Sequence, residues 1–370
     1  MSKFNRRLLQ LCVAAGLSLA APFTAVRPAP AQQAPQQLAQ VPSSLTLLRS
    51  VRHGNNVNAV AFSPNSQMMA SAGGDGYIRV WDVNATLQGD QQRWMRRLIA
   101  IPSRDRYATS LAFSPDSRYL VTGTFNGDVR VWDLNNCERD RPVCASSMLL
   151  ERDYVGVSPV VRFSPSGRWL AASNYDGRVT LWDWASRRTM AVLEPETGAH
   201  DGERRDGRFS SLAFSPDEAY LAAGSFDDFI TVWSLDPEEE FERMATVDTG
   251  QGVDSVAFSP DGEQLASGSF RGVELRSLRT HRGRLEIKDP EELEARVRIN
   301  TLVYLPNGQS IFMGDNVSQV QLWDVEEREA IPAISSSQQH SRPVLTTVLS
   351  PSGNLLASGS SDGVIKLWRP

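Results

Sequence analysis

Short apolar runs recur along most of the chain, and turn-forming residues break each of them. Residues 57–62 (VNAVAF) alternate imperfectly between apolar and polar, SPNS follows, residues 68–72 (MMASA) are small and apolar, GDG follows, and residues 77–81 (YIRVW) are β-branched and aromatic. Runs of this length, bounded by Pro, Gly, Asn and Asp, predict antiparallel strands joined by tight turns. Asp75-Gly76, Asn126-Gly127, Asp176-Gly177 and Asp362-Gly363 are hairpin turns, because glycine takes a positive φ with no Cβ clash. A fourth strand is predicted in the segment before each next unit, such as residues 96–101. No helical period of useful length appears.

The unit recurs seven times. Its turn reads FSPNS at Phe62, FSPDS at Phe113, FSPSG at Phe163, FSPDE at Phe214, FSPDG at Phe258, YLPNG at Tyr304 and LSPSG at Leu349, with prolines 44 to 51 residues apart. A second signature follows each turn: YIRVWD, DVRVWD, RVTLWD, FITVWS, VELRS, QVQLWD and VIKLWR. With its Trp81-Asp82, Trp132-Asp133, Trp182-Asp183 and Trp323-Asp324 pairs, the chain resembles the WD-repeat β-propeller family over residues 44–370. The resemblance implies an all-β, seven-bladed β-propeller of four-stranded antiparallel sheets. The seventh unit stops after its third strand. Residues 44–51 are therefore expected to supply the fourth, closing the ring by pairing the N- and C-terminal strands.

The resemblance also implies a buried His–Ser/Thr–Asp–Trp chain within each blade. Units one and seven keep it whole, as His53, Ser71, Asp75, Trp81 and His340, Ser358, Asp362, Trp368. Indole N–H is expected to donate to hydroxyl, hydroxyl to imidazole, and imidazole N–H to carboxylate. The same residue types suit a nucleophile, but a hydroxyl buried twice at matched repeat positions is read as structural. Elsewhere the pattern fails: Thr122 and Trp132 without His in the second unit, Ala172 and Ala223 in the third and fourth, Arg271 and Arg276 for Asp and Trp in the fifth, Met313 and Val317 in the sixth. Polar specification is expected to matter most at the ring closure, and units five and six to be least regular. The charged insert at 279–296 is read as a solvated loop or extended hairpin.

Family propellers dock partners through the face bearing the turns between the second and third strands. The residues just before the turn Asp are Gly74, Phe125, Tyr175, Phe226, Phe270, Asn316 and Ser361, so four consecutive units present an aromatic ring. Tyr107, Arg208 and Arg298 fall at nearby first-strand starts. Rings clustered with arginines suit a protein or peptide partner. Stacking on a glycan, or a small ligand in the channel, is the alternative.

Composition narrows this. Net charge is −5, from 38 basic and 43 acidic residues, with no long basic run, which argues against nucleic acid as a partner. Four histidines and three cysteines leave little for a metal site, and no HExxH, GxSxG or phosphate loop is present. No cofactor and no catalysis are expected, and the propeller is expected to be monomeric. Residues 1–31 read as a signal peptide: Lys3, Arg6 and Arg7 precede an apolar stretch at 8–21 too short to span a bilayer, and Ala29-Pro30-Ala31 fits a cleavage site. Asn5-Arg6-Arg7-Leu8-Leu9 resembles a twin-arginine signal, so export runs by a Sec or twin-arginine type route. Membrane contact would arise only if the signal stayed uncleaved. Residues 32–43 read as a flexible linker. Removing 1–31 takes four basic residues and brings net charge to −9. It leaves Cys137 and Cys144, a pair that suits a disulfide in an oxidising compartment.

Overall fold

A computed structural model of the chain describes residues 41–370 apart from 91–94, 102–106, 138–145, 152–158, 174–176, 196–207, 282–283, 294, 296 and 332–335. Tyr175 and Cys144, and nearly all of the expected signal and linker, lie outside the described residues.

The described residues form seven antiparallel sheets in chain order, the blades of a propeller. Within a blade the strands are lettered a to d from the axis outwards. Blade 1 is Val57–Phe62, Met68–Gly73, Tyr77–Asp82 and Met95–Ala100. Ring closure follows the sequence expectation. Thr46–Arg52 pairs antiparallel with Val364–Arg369, strand c of blade 7, so the two ends of the propeller share one sheet. Val51 from that closing strand packs with Val57 and Trp81 of blade 1 and with Ile365 and Leu367 of blade 7. One apolar cluster therefore spans the junction.

The recurring turn sequence has a direct physical basis. In six blades the Ser of the Ser-Pro turn is buried. Its Oγ accepts the backbone N–H five residues on: Ser63 from Met68 (2.9 Å), Ser114 from Tyr119 (2.8 Å), Ser164 from Trp169 (3.1 Å), Ser215 from Tyr220 (2.9 Å), Ser259 from Gln264 (2.9 Å) and Ser350 from Leu355 (3.1 Å). In blade 6 Leu305 stands there, and Asn307 Oδ1 takes the N–H of Ser310 instead (3.1 Å). The Asp of Trp-Asp caps the next turn. Asp82 Oδ1 accepts from Ala85 N (2.9 Å), Asp183 from Ser186 N (2.7 Å) and Asp324 from Glu326 N (2.9 Å). At Asp82 this cap starts a one-and-a-half-turn helix, Val83–Gln88, ended by Gly89 at φ 76°. The sequence showed no period there, because six residues are too few to display one.

Hydroxyls on strand a stitch four of the blades to the next: Ser110 Oγ accepts from Val161 N (3.0 Å), Ser211 from Val256 N (3.1 Å), Ser255 from Leu302 N (3.2 Å) and Thr301 from Thr347 N (3.0 Å).

Blades 5 and 6 depart from the four-strand plan. In blade 5 strand c is long, Gly272–His281, and two short strands divide its outer edge: Arg284–Ile287 along its far half and Glu291–Leu293 along its near half. The charged insert is thus an extended hairpin that packs rather than a solvated loop. Leu278, Leu285 and Ile287 join the apolar cluster that holds Met244 and Val247 of blade 4's outer strand, and Tyr220 Oη lies 3.3 Å from Thr280 Oγ1. Among the described residues blade 6 has three strands, ending in Val320–Asp324. The place of strand d holds a single bridge, Trp323 to Ala330, and a side chain: the Gln339 amide accepts from Val320 N (2.8 Å) and donates to Val320 O (3.2 Å), as a strand would.

Candidate functional site

Two groups of residues can be tested for function: the buried polar chains and the face of the b–c turns.

In blade 7 the chain has the expected form. Trp368 Nε1 donates to Ser358 Oγ (2.9 Å), Ser358 Oγ lies 2.8 Å from His340 Nε2, and His340 Nδ1 lies 3.1 Å from Asp362 Oδ2. Burial pushes the Asp362 carboxyl up, but hydrogen bonds from His340, Ser341 N and Val364 N outweigh it and hold the group well below the usual range. Blade 1 differs. Trp81 Nε1 donates to Ser71 Oγ (2.8 Å), yet the imidazole is turned round, with Nδ1 on Ser71 (2.8 Å). Arg79 enters beside Asp75 (2.8 Å) and donates to His53 Nε2 (3.0 Å), leaving Nε2 3.4 Å from Asp75. Burial, helped by the Arg79 charge, lowers His53 to about 4, so the ring is neutral. Lys366 holds the matching register position in blade 7, but its Nζ turns to the carbonyls of Gln338 (2.7 Å) and Gln339 (2.8 Å). Ser71 and Ser358 are fully buried and occupied on both sides, which closes them to substrate.

Blades that looked degenerate carry polar chains of other residues, so such chains are not confined to the closure. Blade 2 keeps Trp132 Nε1 on Thr122 Oγ1 (3.0 Å) and adds a buried Arg130–Asp128 pair (2.8 Å). In blade 5 Arg276 sits in the tryptophan's register and donates to Ser267 Oγ (3.2 Å) as an indole would. Its charge is met by buried Glu274 (2.7 Å), which also accepts from Gln251 (3.0 Å). In blade 6 Trp323 donates to Gln321 (2.8 Å) and Gln321 to Asp315 (2.9 Å). Burial raises the Asp315 pKa.

The b–c turn face is built by one repeated hydrogen bond. The N–H just before the turn reaches the carbonyl at the start of strand a: Gly74 to Asn56 (3.1 Å), Phe125 to Tyr107 (2.9 Å), Phe226 to Arg208 (3.1 Å), Asn316 to Arg298 (3.1 Å) and Ser361 to Pro343 (3.0 Å). The structure therefore brings Tyr107, Arg208 and Arg298 beside these positions, as the repeat pattern implied. Exposure divides the expected arc. Phe125 is half-buried, its ring 5.0 Å from that of Tyr107. Phe226 is 51% exposed and Phe270 68%. Val317, which stands in the place of the turn Asp in blade 6, is 50% exposed and adds an apolar member. Among the described residues, the apolar arc thus runs over blades 4 to 6. Arg298 is not a free cation there. It grips Asp254 with two hydrogen bonds (2.9 and 2.6 Å), which raise its pKa. Arg208 is half-buried.

A model described as WD domain, G-beta repeat matches residues 45–82, 102–133, 157–183, 197–234, 242–273 and 333–369, more than half of the chain. The chain belongs to the WD-repeat family. The WD-repeat model passes over blade 6, where Asp315 and Gln321 replace the usual chain. Among curated relatives, Protein HIR1 of Yarrowia lipolytica is 26% identical over 204 residues, 51% of this chain and 15% of the relative. Human WD repeat and HMG-box DNA-binding protein 1 is 23% identical over 199 residues, 52% and 16% respectively. The LST8 homolog of Drosophila melanogaster is 32% identical over 89 residues, 24% and 28%. The chain spans less than a third of the length of each of these relatives. Among the described residues no group of His, Cys, Asp and Glu is arranged to hold a metal ion, and no helix is long and apolar enough to cross a membrane.

Proposed function

We propose that this WD-repeat protein is a non-catalytic scaffold that docks a protein or peptide on its b–c turn face. The exposed arc of Phe226, Phe270 and Val317 carries the reading. Three successive blades each hold a large apolar side chain in water, and backbone hydrogen bonds to the start of strand a fix the turns of Phe226 and Val317. Rigid, preorganised apolar anchors are what a partner's hot spots need. The net charge of −5 favours a protein partner over nucleic acid, although DNA binding is part of the human relative's name. We further propose export to the periplasm or an equivalent space, on the strength of residues 1–31, and a Cys137–Cys144 disulfide in the mature protein. Cys137 is buried at 6% exposure, which suits a bonded sulfur.

The test is in-cell cross-linking of the tagged protein. Phe226→Ala with Phe270→Ala should cut partner capture several-fold and leave the melting temperature within a degree or two, because neither ring is in a core. Undiminished capture rejects the arc. A glycan or small molecule that binds saturably to the purified protein, with no protein recovered, would replace this reading. Mass spectrometry of the same sample reads the mature N-terminus and the state of both cysteines. Recovery of the tagged protein in the cytoplasmic fraction rejects the export proposal, and free thiols at 137 and 144 reject the disulfide.

A further inference from the structure

The innermost strands carry one charge that the polar chains and the stitching leave unused. In strand a of blade 3, Arg162 pairs with Ala171. The same register position holds Ala61, Ala112, Ala213, Ala257, Val303 and Val348 in the other six blades. Five of these six are partly exposed, each at the edge of an apolar cluster between blades, and all lie on the strand nearest the axis, which borders the central channel. At one level of the inner strands the seven blades thus carry six small aliphatic side chains, five of them partly exposed, and one arginine.

Arg162 is exposed, yet its pKa is lowered by burial with no charged neighbour contributing. Its place on an innermost strand, with the other blades' inner strands around the axis, accounts for both. Among the described residues its hydrogen bond is to the Val161 carbonyl, from Nη1 (3.0 Å), and no carboxylate answers it. Several other polar side chains at the start of strand a are committed elsewhere. Asn58 donates to Ala108 O (3.4 Å), Thr109 to Gly123 O (3.3 Å) and Asn300 to Val344 O (2.8 Å), while Asp254 is held by Arg298. The remaining guanidinium N–H groups form a fork, and a charge-assisted hydrogen bond to a group enclosed by protein is stronger than one at an open surface.

We infer that Arg162 makes the channel an anion site that takes a carboxylate side chain from an extended acidic peptide. A single fork with no second cation matches a planar monoanion better than a doubly charged phosphate. Alanine and valine around it leave room for a slender group. The inference rests on the docking reading for its occupant, and its test is made so that either can fail alone.

The probe is the N-acetylated, C-amidated peptide Gly-Ser-Glu-Gly-Ser, which carries one carboxylate. Its glutamine counterpart and inorganic phosphate are the comparisons. The full chain is titrated with each, following the Nε–H signal of Arg162 by NMR, identified by its absence in Arg162→Gln. The glutamate peptide should shift that signal saturably and the glutamine peptide should not. Arg162→Gln, checked for folding by circular dichroism, should weaken binding by about tenfold or more. Arg162→Lys, which keeps the charge and loses the fork, should fall between. Equal binding by Arg162→Gln, or no saturation, overturns the site. Tighter binding of phosphate overturns the carboxylate. Neither outcome touches the Phe226 and Phe270 test, which reads partner capture and leaves Arg162 in place.

Discussion

The closing strand joins segments more than 300 residues apart, and its worth can be measured. Leu45 is 7% exposed and packs with Trp368 and Leu356 of blade 7, while Val51 is 1% exposed in the cluster shared with blade 1. Leu45→Ala in a packed core costs about 2–5 kcal/mol. Val51→Ala removes the equivalent of two buried carbon groups at roughly 0.8 kcal/mol each, plus a cavity, or about 2 kcal/mol. The two sites lie about 20 Å apart along the strand and in different clusters, so their effects should add. The double variant should lose about 4–7 kcal/mol, a large part of the ~5–15 kcal/mol typical of a folded domain. Urea unfolding followed by circular dichroism reads the loss. Hydrogen exchange should show protection falling in blades 7 and 1 together. A matched Leu193→Ala, in the outer strand of blade 3, should loosen blades 3 and 4 only, since Leu193 packs with Phe209 and Leu221 there. If the double variant stays within ~1 kcal/mol of the parent while Leu193→Ala behaves as a core truncation, the pairing does not hold the ring.

Two further outcomes follow from the polar chains. His53 falls from 6.5 to about 4 on folding, because burial and then Arg79 oppose its charge. The unfolded chain therefore binds the extra proton first, so this contribution is present above pH 6.5 and is lost as pH falls through about 4. It amounts to at most about 3 kcal/mol. Urea midpoints from pH 7.5 to 4 should drop less steeply in His53→Gln than in the parent, and parallel slopes would refute the assignment. In blade 5, Glu274→Ala strands Arg276 without its buried counter-charge and should destabilise by about 3–5 kcal/mol, whereas Phe270→Ala in the same blade should do nothing measurable. A Glu274→Ala melting temperature equal to the parent's would show that Arg276 is not paired in solution.

The ring was legible because the features that define it are local and repeated. Ser-Pro turns, the glycines after Asp or Asn, and Trp at a fixed distance each act within a few residues, and seven copies make the signal plain. What stayed hidden depends on register between strands. Asp128, Asp315 and Gln321 do not stand where the family pattern puts its carboxylate, and nothing in the order of residues shows that Arg276 points at Ser267. Phe125 and Phe226 hold one repeat position, yet Tyr107 covers only the first, a difference set by the neighbouring strand start. Arg162 drew no notice because a lone arginine in a short strand gives no sign of facing an axis. Only alignment through the sheet register shows six alanines and valines around it.

The Gln339 amide takes the part of a strand neighbour for one residue of blade 6, Val320. A primary amide can both give and accept a proton bond, which is why one side chain can stand in for a strand at Val320. Deamidation to glutamate leaves acceptors only and sets a carboxylate against the Val320 carbonyl. Gln339→Glu should therefore loosen the outer edge of blade 6 at Val320, and faster hydrogen exchange of the Val320 amide checks it.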